Sequence, residues 1–372
     1  MRTTNGTWKA RELSMNIETL IRKDVLEQPG YRVDTTSCPI KMDAMESPFT
    51  IPAHLQEELS EEMKKVFLNR YPEPGAPMIR KKFAQHYGID TDMIMVGNGS
   101  DELIQTLCTA LLDSSSAVIV PLPTFVMYRI IAINTGRTVI EVPLDGAFDL
   151  DMEAILKQIA MKSPVLTFLC YPNNPTGNCF SMDKIKTIIE KSQGIVVIDE
   201  AYGSFSGHTL LPWLKKYDNL VILKTLSKVG LAAIRIGFLI GAPHLIHELD
   251  KVRLPYNINS LSEVTAGFYL DHIDLFLDQT KEIIKSREEL FDALTKIDGI
   301  KPYPSKTNFI FFSCDFDTDR VYSSLVQEGI LIKNLNSPGV LKNCMRVTIG
   351  TRKENKEFLR AFKKVISAGS VV

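Results

Sequence analysis

The segment LVILKTLSKVGLAAIRIGFLIG, residues 220–241, contains two short apolar runs separated by a loop that carries a lysine and an arginine. Neither run alternates apolar with polar residues, which is typical of strands covered on both faces of a sheet. Lys228 and Arg235 lie seven residues apart between the runs, and a membrane span would be longer and would not contain both. The two cations are either surface residues or ligands of one enclosed anion.

Similar apolar runs recur along the central part of the chain and alternate with longer amphipathic stretches. Strands separated by helices in this way predict a mostly parallel sheet flanked by helices, that is, an α/β fold. The other predicted strands of this region are MIMV (93–96), AVIV (117–120), VLTFLC (165–170) and IVVID (195–199).

The pattern changes after residue 260 and predicts a smaller α+β domain. A long helical stretch is expected over roughly residues 261–296. It is followed by strands NFIFFSC (308–314), GILIK (329–333) and MRVTIG (345–350) and by a closing helix KENKEFLRAFKKVI (353–366). The predicted organisation is a disordered extension at 1–14, an arm at 15–55 that joins the smaller domain, a large domain at 56–258 and the smaller domain at 259–372.

Length and composition exclude several classes of protein. A chain of 372 residues favours two domains. The contents of 45% apolar and 23% charged residues are those of an ordinary soluble globular protein, and the net charge of −1 provides no basic surface for nucleic acid or anionic lipid. The six cysteines contain no CxxC pair, so we expect a reducing compartment and a cytoplasmic protein. The six histidines show no metal-ligand spacing, so no metal is predicted.

Unusual residues follow several predicted strands, at the strand ends where open α/β sheets bind ligands. The loop GNGSD (97–101) has glycines that let backbone N–H groups approach a ligand, and Ser100 is a candidate N-cap. A helix N-terminus of this kind favours a phosphate, although most such loops are only turns. The segment YPNNPTG (171–177) predicts a rigid turn. Its Asn174 either has no further role or offers its amide to a bound group.

The next two strand ends carry an acid and a base. Asp199 ends a buried strand, where a carboxylate is costly unless it meets a cation or a donor. It is either a capping residue or a ligand, and Tyr202 can reach the same space. Lys228, taken alone, is a surface lysine, but a desolvated lysine has a lowered pKa and becomes nucleophilic. Its loop also holds three residues that suit a phosphate, Thr225, Ser227 and Arg235.

Taken together, the four strand ends predict a site for pyridoxal phosphate. The aldehyde of this cofactor requires a lysine, and its ring nitrogen requires a carboxylate that keeps it protonated. Its 3-oxygen and its phosphate require hydrogen-bond donors. The protonated ring is an electron sink for a carbanion at the α-carbon of an amino acid.

Four motifs occur in an order found in a known family: YPNNPTG (171–177), DEAY (199–202), TLSK (225–228) and RIG (235–237). They resemble the class II branch of the fold-type I pyridoxal-phosphate-dependent aminotransferases. Three further segments are similar to the histidinol-phosphate aminotransferases within it: IKMDAMESPF (40–49), NRYPEPGA (69–76) and MRVTIGT (345–351). The resemblance extends from about residue 15 to the end. It implies a fold-type I transferase in which the large domain has a mostly parallel sheet flanked by helices.

The resemblance also implies a role for each matching residue. Lys228 would bind the cofactor covalently and move a proton between it and the substrate, and Asp199 would pair with the ring nitrogen. Asn174 and Tyr202 would donate to the 3-oxygen, and Phe125 would stack on the ring. The phosphate would be held, partly by backbone N–H groups, at Gly99, Ser100, Asp101, Thr225, Ser227 and Arg235.

A homodimer with shared active sites is implied as well, in which Tyr71 would reach the cofactor phosphate of the neighbouring subunit. Arg346 would hold the acidic end of the substrate, and Lys333 and Tyr31 would join it at a substrate phosphate. The expected reaction is transamination between L-histidinol phosphate/imidazole acetol phosphate and glutamate/2-oxoglutarate, a step of histidine biosynthesis.

Three alternatives remain open. Two are enzymes on the same scaffold, an aromatic amino acid aminotransferase and a threonine-phosphate decarboxylase. The third is a non-catalytic regulator that binds pyridoxal phosphate. A regulator would need a DNA-binding domain, and we expect the fourteen polar residues before Met15 to be too few for one. Neither nucleic acid nor a membrane is expected as a partner.

Overall fold

The computed structural model describes most of the chain, namely residues 17–28, 30, 34–111 and 116–367. The chain divides into two compact units, Met1–Asp34 and Thr35–Val372. In the first unit, the described residues form a 3₁₀ turn at Ile17–Leu20 and a short helix α1 at Lys23–Leu26. The extension predicted at 1–14 lies outside the described residues.

The second unit contains two β-sheets and the remaining helices. The strands are β1 (Ile40–Met42), β2 (Ile94–Asn98), β3 (Ala117–Leu122), β4 (Thr138–Pro143), β5 (Leu166–Cys170), β6 (Ile195–Asp199), β7 (Leu220–Thr225), β8 (Ile236–Ile240), β9 (Ile300–Pro302), β10 (Phe309–Cys314), β11 (Ile330–Asn334) and β12 (Cys344–Thr348). The helices are α2 (Ala53–Lys64), α3 (Pro77–Tyr87), α4 (Ser100–Ala110), α5 (Met127–Asn134), α6 (Met152–Lys162), α7 (Met182–Lys191), α8 (Gly203–Ser206), α9 (Pro243–Asp250), α10 (Ser260–Asp271), α11 (Ile273–Thr295), α12 (Thr318–Gln327) and α13 (Arg352–Ser367).

The larger sheet has seven strands in the order β2-β8-β7-β6-β5-β3-β4. Its strands are parallel except for β8, which runs antiparallel to both of its neighbours. The predicted mostly parallel α/β sheet is therefore confirmed. Strand β4 was not predicted, because it is an edge strand whose side chains are mostly exposed or half-buried and whose sequence lacks a continuous apolar run.

Alternate residues of the central strands enter two separate cores. Val196 and Ile198 of β6 pack in one core, and Val197 packs in the other. This explains the uninterrupted apolar runs, because successive side chains point to opposite faces and both faces are covered. Full burial of each such side chain contributes about 1.5–3 kcal/mol. The carboxyl ends of β2, β5, β6 and β7 meet at one edge of this sheet.

The smaller sheet has five strands in the order β1-β11-β12-β10-β9. Strand β1 runs parallel to β11, and the other pairs are antiparallel. Strand β1 comes from the predicted arm, so residues 40–42 join the sheet formed by the C-terminal part. Each helix in the part of the chain that the structure describes is too short or too polar to span a bilayer.

The helical stretch predicted at 261–296 is confirmed, but it is not continuous. The chain forms α10 and α11, separated at His272, whose φ of −112° and ψ of 26° are not helical. The break lets the two helices pack on different sheets: Tyr269 of α10 lies in a core of the larger sheet, and Leu290 of α11 lies in that of the smaller sheet. Helix α10 follows the proposed domain boundary at residue 259 but packs with the larger sheet. The position of the boundary stays a prediction.

Candidate active site

Residues predicted from four strand ends line one cavity. It lies at the carboxyl edge of the larger sheet, where β2, β5, β6 and β7 end. Cys170 and Ala201 also line it, although their sequence context did not single them out. The predicted residues in the lining are Ser100, Asp101, Phe125, Asn174, Asp199, Tyr202, Thr225, Ser227, Lys228 and Arg235.

One end of the cavity has close backbone packing that only glycine permits. Gly99 has a φ of 81°, and a Cβ there would lie 2.5 Å from an Nη atom of Arg235. A Cβ on Gly237 would lie 2.6 Å from the backbone nitrogen of Ser100. Strand β8 therefore lies directly against the N-terminus of α4. Amide groups at such a terminus favour an anion.

The prediction that Ser100 caps α4 is wrong. Gly99 occupies the N-cap position, and Ser100 is the first residue of the helix. The carboxylate of Glu102 accepts a hydrogen bond from the backbone N–H of Asn98, which satisfies an amide that precedes the helix. Ser100 lines the cavity and does not cap the helix.

Arg235 joins the N-terminus of α4 to the loop after β7. We call this end of the cavity the anion subsite; it consists of Gly99, Ser100, Asp101, Thr225, Ser227 and Arg235. The guanidinium of Arg235 donates to Ser227 Oγ at 3.3 Å and to the Asp101 carboxylate at 3.2 Å. The hydroxyl of Thr225 lies 3.0 Å from that of Ser227. A guanidinium, two hydroxyls and helix-terminal amides together suit a phosphate.

Asp199 is 2% exposed at the end of β6, and each of its carboxylate oxygens accepts a hydrogen bond. Tyr128 Oη donates at 2.6 Å, and the backbone N–H of Ala201 donates at 2.9 Å. Burial raises the pKa of Asp199 to about 6, and these two hydrogen bonds oppose the rise. A cation placed against this carboxylate would hold it in the ionised form.

Tyr128 is the site residue that the sequence did not identify. It is fully buried, and its ring stacks on that of Phe168 with centroids 4.9 Å apart. Its other ring contact is edge-on with Phe125, at 5.4 Å. The usable signal was the aromatic pair spaced three residues apart in PTFVMY (123–128), because this spacing places two side chains on one face of a helical turn.

Lys228 lies in the loop after β7. Burial lowers the pKa of its amine to about 8, and the charges of Arg346 and Arg235 act in the same direction. Its Nζ lies 5.8 Å from the ring centre of Tyr202, whose phenol pKa is raised by burial. A lysine with this pKa is partly neutral near pH 8, and the neutral amine is the form that attacks a carbonyl carbon.

Arg346 connects the smaller sheet with this cavity. It is 6% exposed in β12, and its guanidinium donates to the side-chain oxygen of Asn174 and, at 2.9 Å, to the carbonyl of Asp43. The ring of Phe309 lies 5.1 Å from its Cζ. Strand pairing places Lys333 directly opposite Arg346. Two cationic side chains therefore share one face of the smaller sheet.

Four predicted residues that the structure describes are not among those that line the cavity, namely Gly99, Tyr71, Lys333 and Arg346. Tyr71 is 81% exposed and stacks on Tyr256 with ring centroids 4.6 Å apart. Tyr31 lies outside the described residues. The expected roles of Tyr71 and Tyr31 stay predictions.

Comparison with known families settles what kind of protein carries this cavity. The family model for aminotransferase class I and II matches residues 40–362. The chain belongs to this family. The match contains both sheets and every residue that lines the cavity of this aminotransferase.

Individual relatives are similar to this aminotransferase over nearly the whole chain. Histidinol-phosphate aminotransferase 2 of Nitrosococcus oceani is 44% identical over 346 residues, which cover 92% of this chain and 96% of that protein. Histidinol-phosphate aminotransferase of Aquifex aeolicus is 37% identical over 351 residues, or 94% and 99% of the two chains. The Sinorhizobium meliloti histidinol-phosphate aminotransferase, solved in complex with pyridoxal-5'-phosphate, has the same fold, with a TM-score of 0.82 at 22% identity over 89% and 92% of the chains.

The residues of this aminotransferase fit pyridoxal phosphate. A buried carboxylate at Asp199 suits a protonated ring nitrogen, and Lys228 supplies an amine of lowered pKa for an aldehyde. A Cβ at Gly99 would displace the guanidinium of Arg235, so the position of this phosphate-binding cation depends on that glycine.

Proposed function

We propose that this aminotransferase moves an amino group from glutamate to imidazole acetol phosphate, forming 2-oxoglutarate and L-histidinol phosphate in histidine biosynthesis. The observation that carries the proposal is that one cavity holds Lys228, Asp199 and an anion subsite, with two further cations beside it on the smaller sheet. The relatives named histidinol-phosphate aminotransferase support the choice of substrate.

Lys228 and Asp199 perform the acid–base and electrostatic work. Bound pyridoxal phosphate supplies an aldehyde that condenses with amines and a protonated ring that withdraws electrons from the carbon bearing the amino group. The neutral amine of Lys228 would hold the cofactor between turnovers and would carry the proton removed from the substrate α-carbon. The negative charge of Asp199 holds a proton on the ring nitrogen.

The other residues of the cavity hold the cofactor in place. The side-chain oxygen of Asn174 accepts from Arg346, which leaves its NH₂ group, together with the hydroxyl of Tyr202, to donate to the 3-oxygen. Phe125 covers the ring. The phosphate is bound by backbone and side-chain donors of Gly99, Ser100, Asp101, Thr225, Ser227 and Arg235.

Arg346 binds the acidic end of the substrate in both half-reactions, and Lys333 acts mainly on the phosphate. Glutamate offers carboxylates to Arg346, whereas histidinol phosphate offers a phosphate and no carboxylate. A guanidinium binds both kinds of anion through paired hydrogen bonds, and an ammonium adds charge without the fork geometry. Tyr31 is the third residue that we assign to the substrate phosphate.

Arg346→Ala is therefore expected to damage both half-reactions, and Lys333→Ala mainly the one with histidinol phosphate. Losing one charge-assisted contact costs about 1.5–3 kcal/mol, roughly ten- to a hundredfold in kcat/KM. The measurement is kcat/KM for glutamate and for histidinol phosphate in separate half-reactions. Lys301→Ala, in the exposed part of β9, is the control. Equal losses with both substrates in Lys333→Ala would contradict a phosphate-specific role.

We also infer a homodimer, because an exposed apolar patch surrounds Tyr71. Phe67, Leu68 and Tyr71 are 77%, 79% and 81% exposed. Leu254, near the stacking partner Tyr256, is 69% exposed. Exposed apolar side chains clustered in this way mark interaction surfaces. A second copy of this chain is the proposed partner, since Tyr71 has no place in its own cavity and would complete that of the other copy.

Mixing Tyr71→Ala subunits with Lys228→Ala subunits is expected to restore part of the activity. In a heterodimer with shared sites, one site receives both defects and the other receives neither. The readout is turnover after subunit exchange, with each variant alone as the control. Exchange is verified separately by mass labelling. Verified exchange without recovered activity would place Tyr71 in the site of its own subunit.

The reaction itself is tested by product analysis. Purified holoenzyme supplied with L-histidinol phosphate and 2-oxoglutarate is expected to form glutamate and imidazole acetol phosphate in equal amounts. Absence of glutamate would contradict the proposed reaction. We assign the enzyme to the cytoplasm, because its six cysteines are spread along the chain and contain no CxxC pair.

A further inference from the structure

A buried ion pair lies beside the strand ends that form the cavity. Lys224 Nζ lies 2.7 Å from Glu200 Oε2, and the two side chains are 11% and 0% exposed. Thr209 Oγ1 donates to the same oxygen at 2.7 Å, and the backbone N–H of Leu210 donates to Oε1 at 2.6 Å. Lys224 Nζ also lies 5.1 Å from the ring centre of Tyr87. The charge of Glu200 is thus compensated without solvent.

Fold stability alone does not account for this pair. Desolvation of two buried charges offsets most of their attraction, so apolar residues of similar volume stabilise a fold about as well. Neither Lys224 nor Glu200 belongs to the lining of the cavity. The pair can therefore affect the cavity only through the residues that it holds in place.

The pair joins the two strand ends that carry Asp199 and Lys228. Glu200 directly follows Asp199, and Lys224 lies four residues before Lys228. The backbone N–H of Glu200 donates to the carbonyl of Leu223 at 2.8 Å, beyond the last paired residues of β6 and β7. Because successive side chains point to opposite faces, Asp199 faces the cavity while Glu200 faces away from it.

The turn that carries Tyr202 also rests on this pair. A Cβ on Gly203 would lie 3.2 Å from Glu200 Cβ and 3.7 Å from Lys224 Nζ. The backbone N–H of Gly203 donates to the carbonyl of Glu200 at 2.9 Å. A shift of the pair would therefore move the backbone on both sides of Tyr202.

We propose that the Lys224–Glu200 pair is a positioning element that fixes Asp199 and Lys228 relative to each other. This inference rests on the proposed function of those two residues. The pair acts through the backbone of β6 and β7, so its loss leaves both functional side chains present but misplaced. A displacement of about 1 Å at reacting groups lowers a rate by roughly a hundredfold.

Lys224→Met and Glu200→Gln test the proposal in the holoenzyme. Each variant is expected to lower kcat of the glutamate half-reaction by about ten- to a hundredfold, with KM changed much less. The second readout is the pH titration of the bound cofactor's absorbance, whose midpoint is expected to shift because Lys228 and Asp199 set it. Lys224→Arg retains the charge and the donors and is expected to restore both readouts.

Lys184→Met is the matched control, since Lys184 pairs with Asp149 at 2.9 Å away from the cavity. It is expected to lower the melting temperature without changing kcat or the titration. The same outcome in Lys224→Met would overturn the proposal and leave the pair a purely structural feature.

If either single variant fails to fold, the double variant Lys224→Met/Glu200→Met is used instead, because it buries no unpaired charge. This double variant is expected to fold and to keep the loss of kcat. Wild-type kcat in the folded double variant would equally overturn the proposal.

The glutamate half-reaction and the titration do not involve histidinol phosphate. A wrong substrate assignment therefore leaves this test intact.

Discussion

Lys228→Ala is expected to lose turnover by about four orders of magnitude or more, because it removes both the covalent link to the cofactor and the proton carrier. The variant is expected to stay folded. Burial lowers the pKa of the Lys228 amine to about 8, so its charged form gains nothing from the folded environment. The measurements are kcat and the melting temperature. Lys251→Ala, at an exposed lysine after α9, is the control and should retain full activity.

The chemical test of the same residue is reduction with borohydride followed by peptide mapping. The cofactor should be fixed to the peptide that contains Lys228, and labelling of another lysine would contradict the assignment. Attachment of added pyridoxal phosphate to the cofactor-free protein should become faster as the pH rises towards about 8, because the neutral amine is the reactive form. The rate should level off above about pH 8, and a rate that still rises steeply between about pH 9 and 10, as for an ordinary lysine of pKa 10.5, would contradict the lowered pKa.

Asp199→Asn is expected to lower kcat by a factor on the order of hundreds or more, because the amide keeps the shape of the side chain and loses its charge. Tyr128→Phe should lower kcat less and in the same direction, since it removes one of the two hydrogen bonds that favour the ionised carboxylate. The measurement is the pH profile of kcat, with Tyr171→Phe as the control because its hydroxyl contacts the sulfur of Met182. Near-wild-type turnover in Asp199→Asn would show that another carboxylate carries the charge.

Asp199 also contributes to the pH dependence of the free energy of unfolding of the cofactor-free protein. Its folded pKa of about 6 lies above the ordinary value of 3.8. The folded carboxyl therefore holds its proton more tightly than the unfolded one. Its contribution to stability is present below pH 3.8 and is lost as the pH rises through about 6. A bound cation at the ring nitrogen removes this penalty, so binding of the cofactor should stabilise the protein more above pH 6 than below it.

The positions of most cavity residues could be predicted from the sequence because buried parallel strands leave a clear pattern. Uninterrupted apolar runs locate the strands, and parallel strands bring their carboxyl ends to one edge. Asp199 and Lys228 follow two such runs, so their proximity followed from topology before any side chain was placed. The residue types at these strand ends then selected pyridoxal phosphate among the ligands that such an edge can bind, and the motifs selected the family.

Other features depend on contacts between segments that are distant in the chain. The hydrogen bond from Tyr128 to Asp199 joins residues 71 positions apart, so the local sequence could not predict that these two side chains pair. The break at His272 separates two helices that pack on different sheets. Gly99 is the helix cap, with a φ of 81° and the guanidinium of Arg235 too close for a side chain there. Each of these features involves long-range packing.

The most direct test of the proposed function is a comparison of kcat/KM for four amino donors with 2-oxoglutarate as the acceptor. Histidinol phosphate is expected to be the best substrate. Histidinol lacks the phosphate that Arg346 and Lys333 bind and should be roughly ten- to a hundredfold worse. Phenylalanine and threonine phosphate complete the panel. A value for phenylalanine that equals or exceeds that for histidinol phosphate would identify an aromatic aminotransferase, and decarboxylation of threonine phosphate would contradict the reaction class itself.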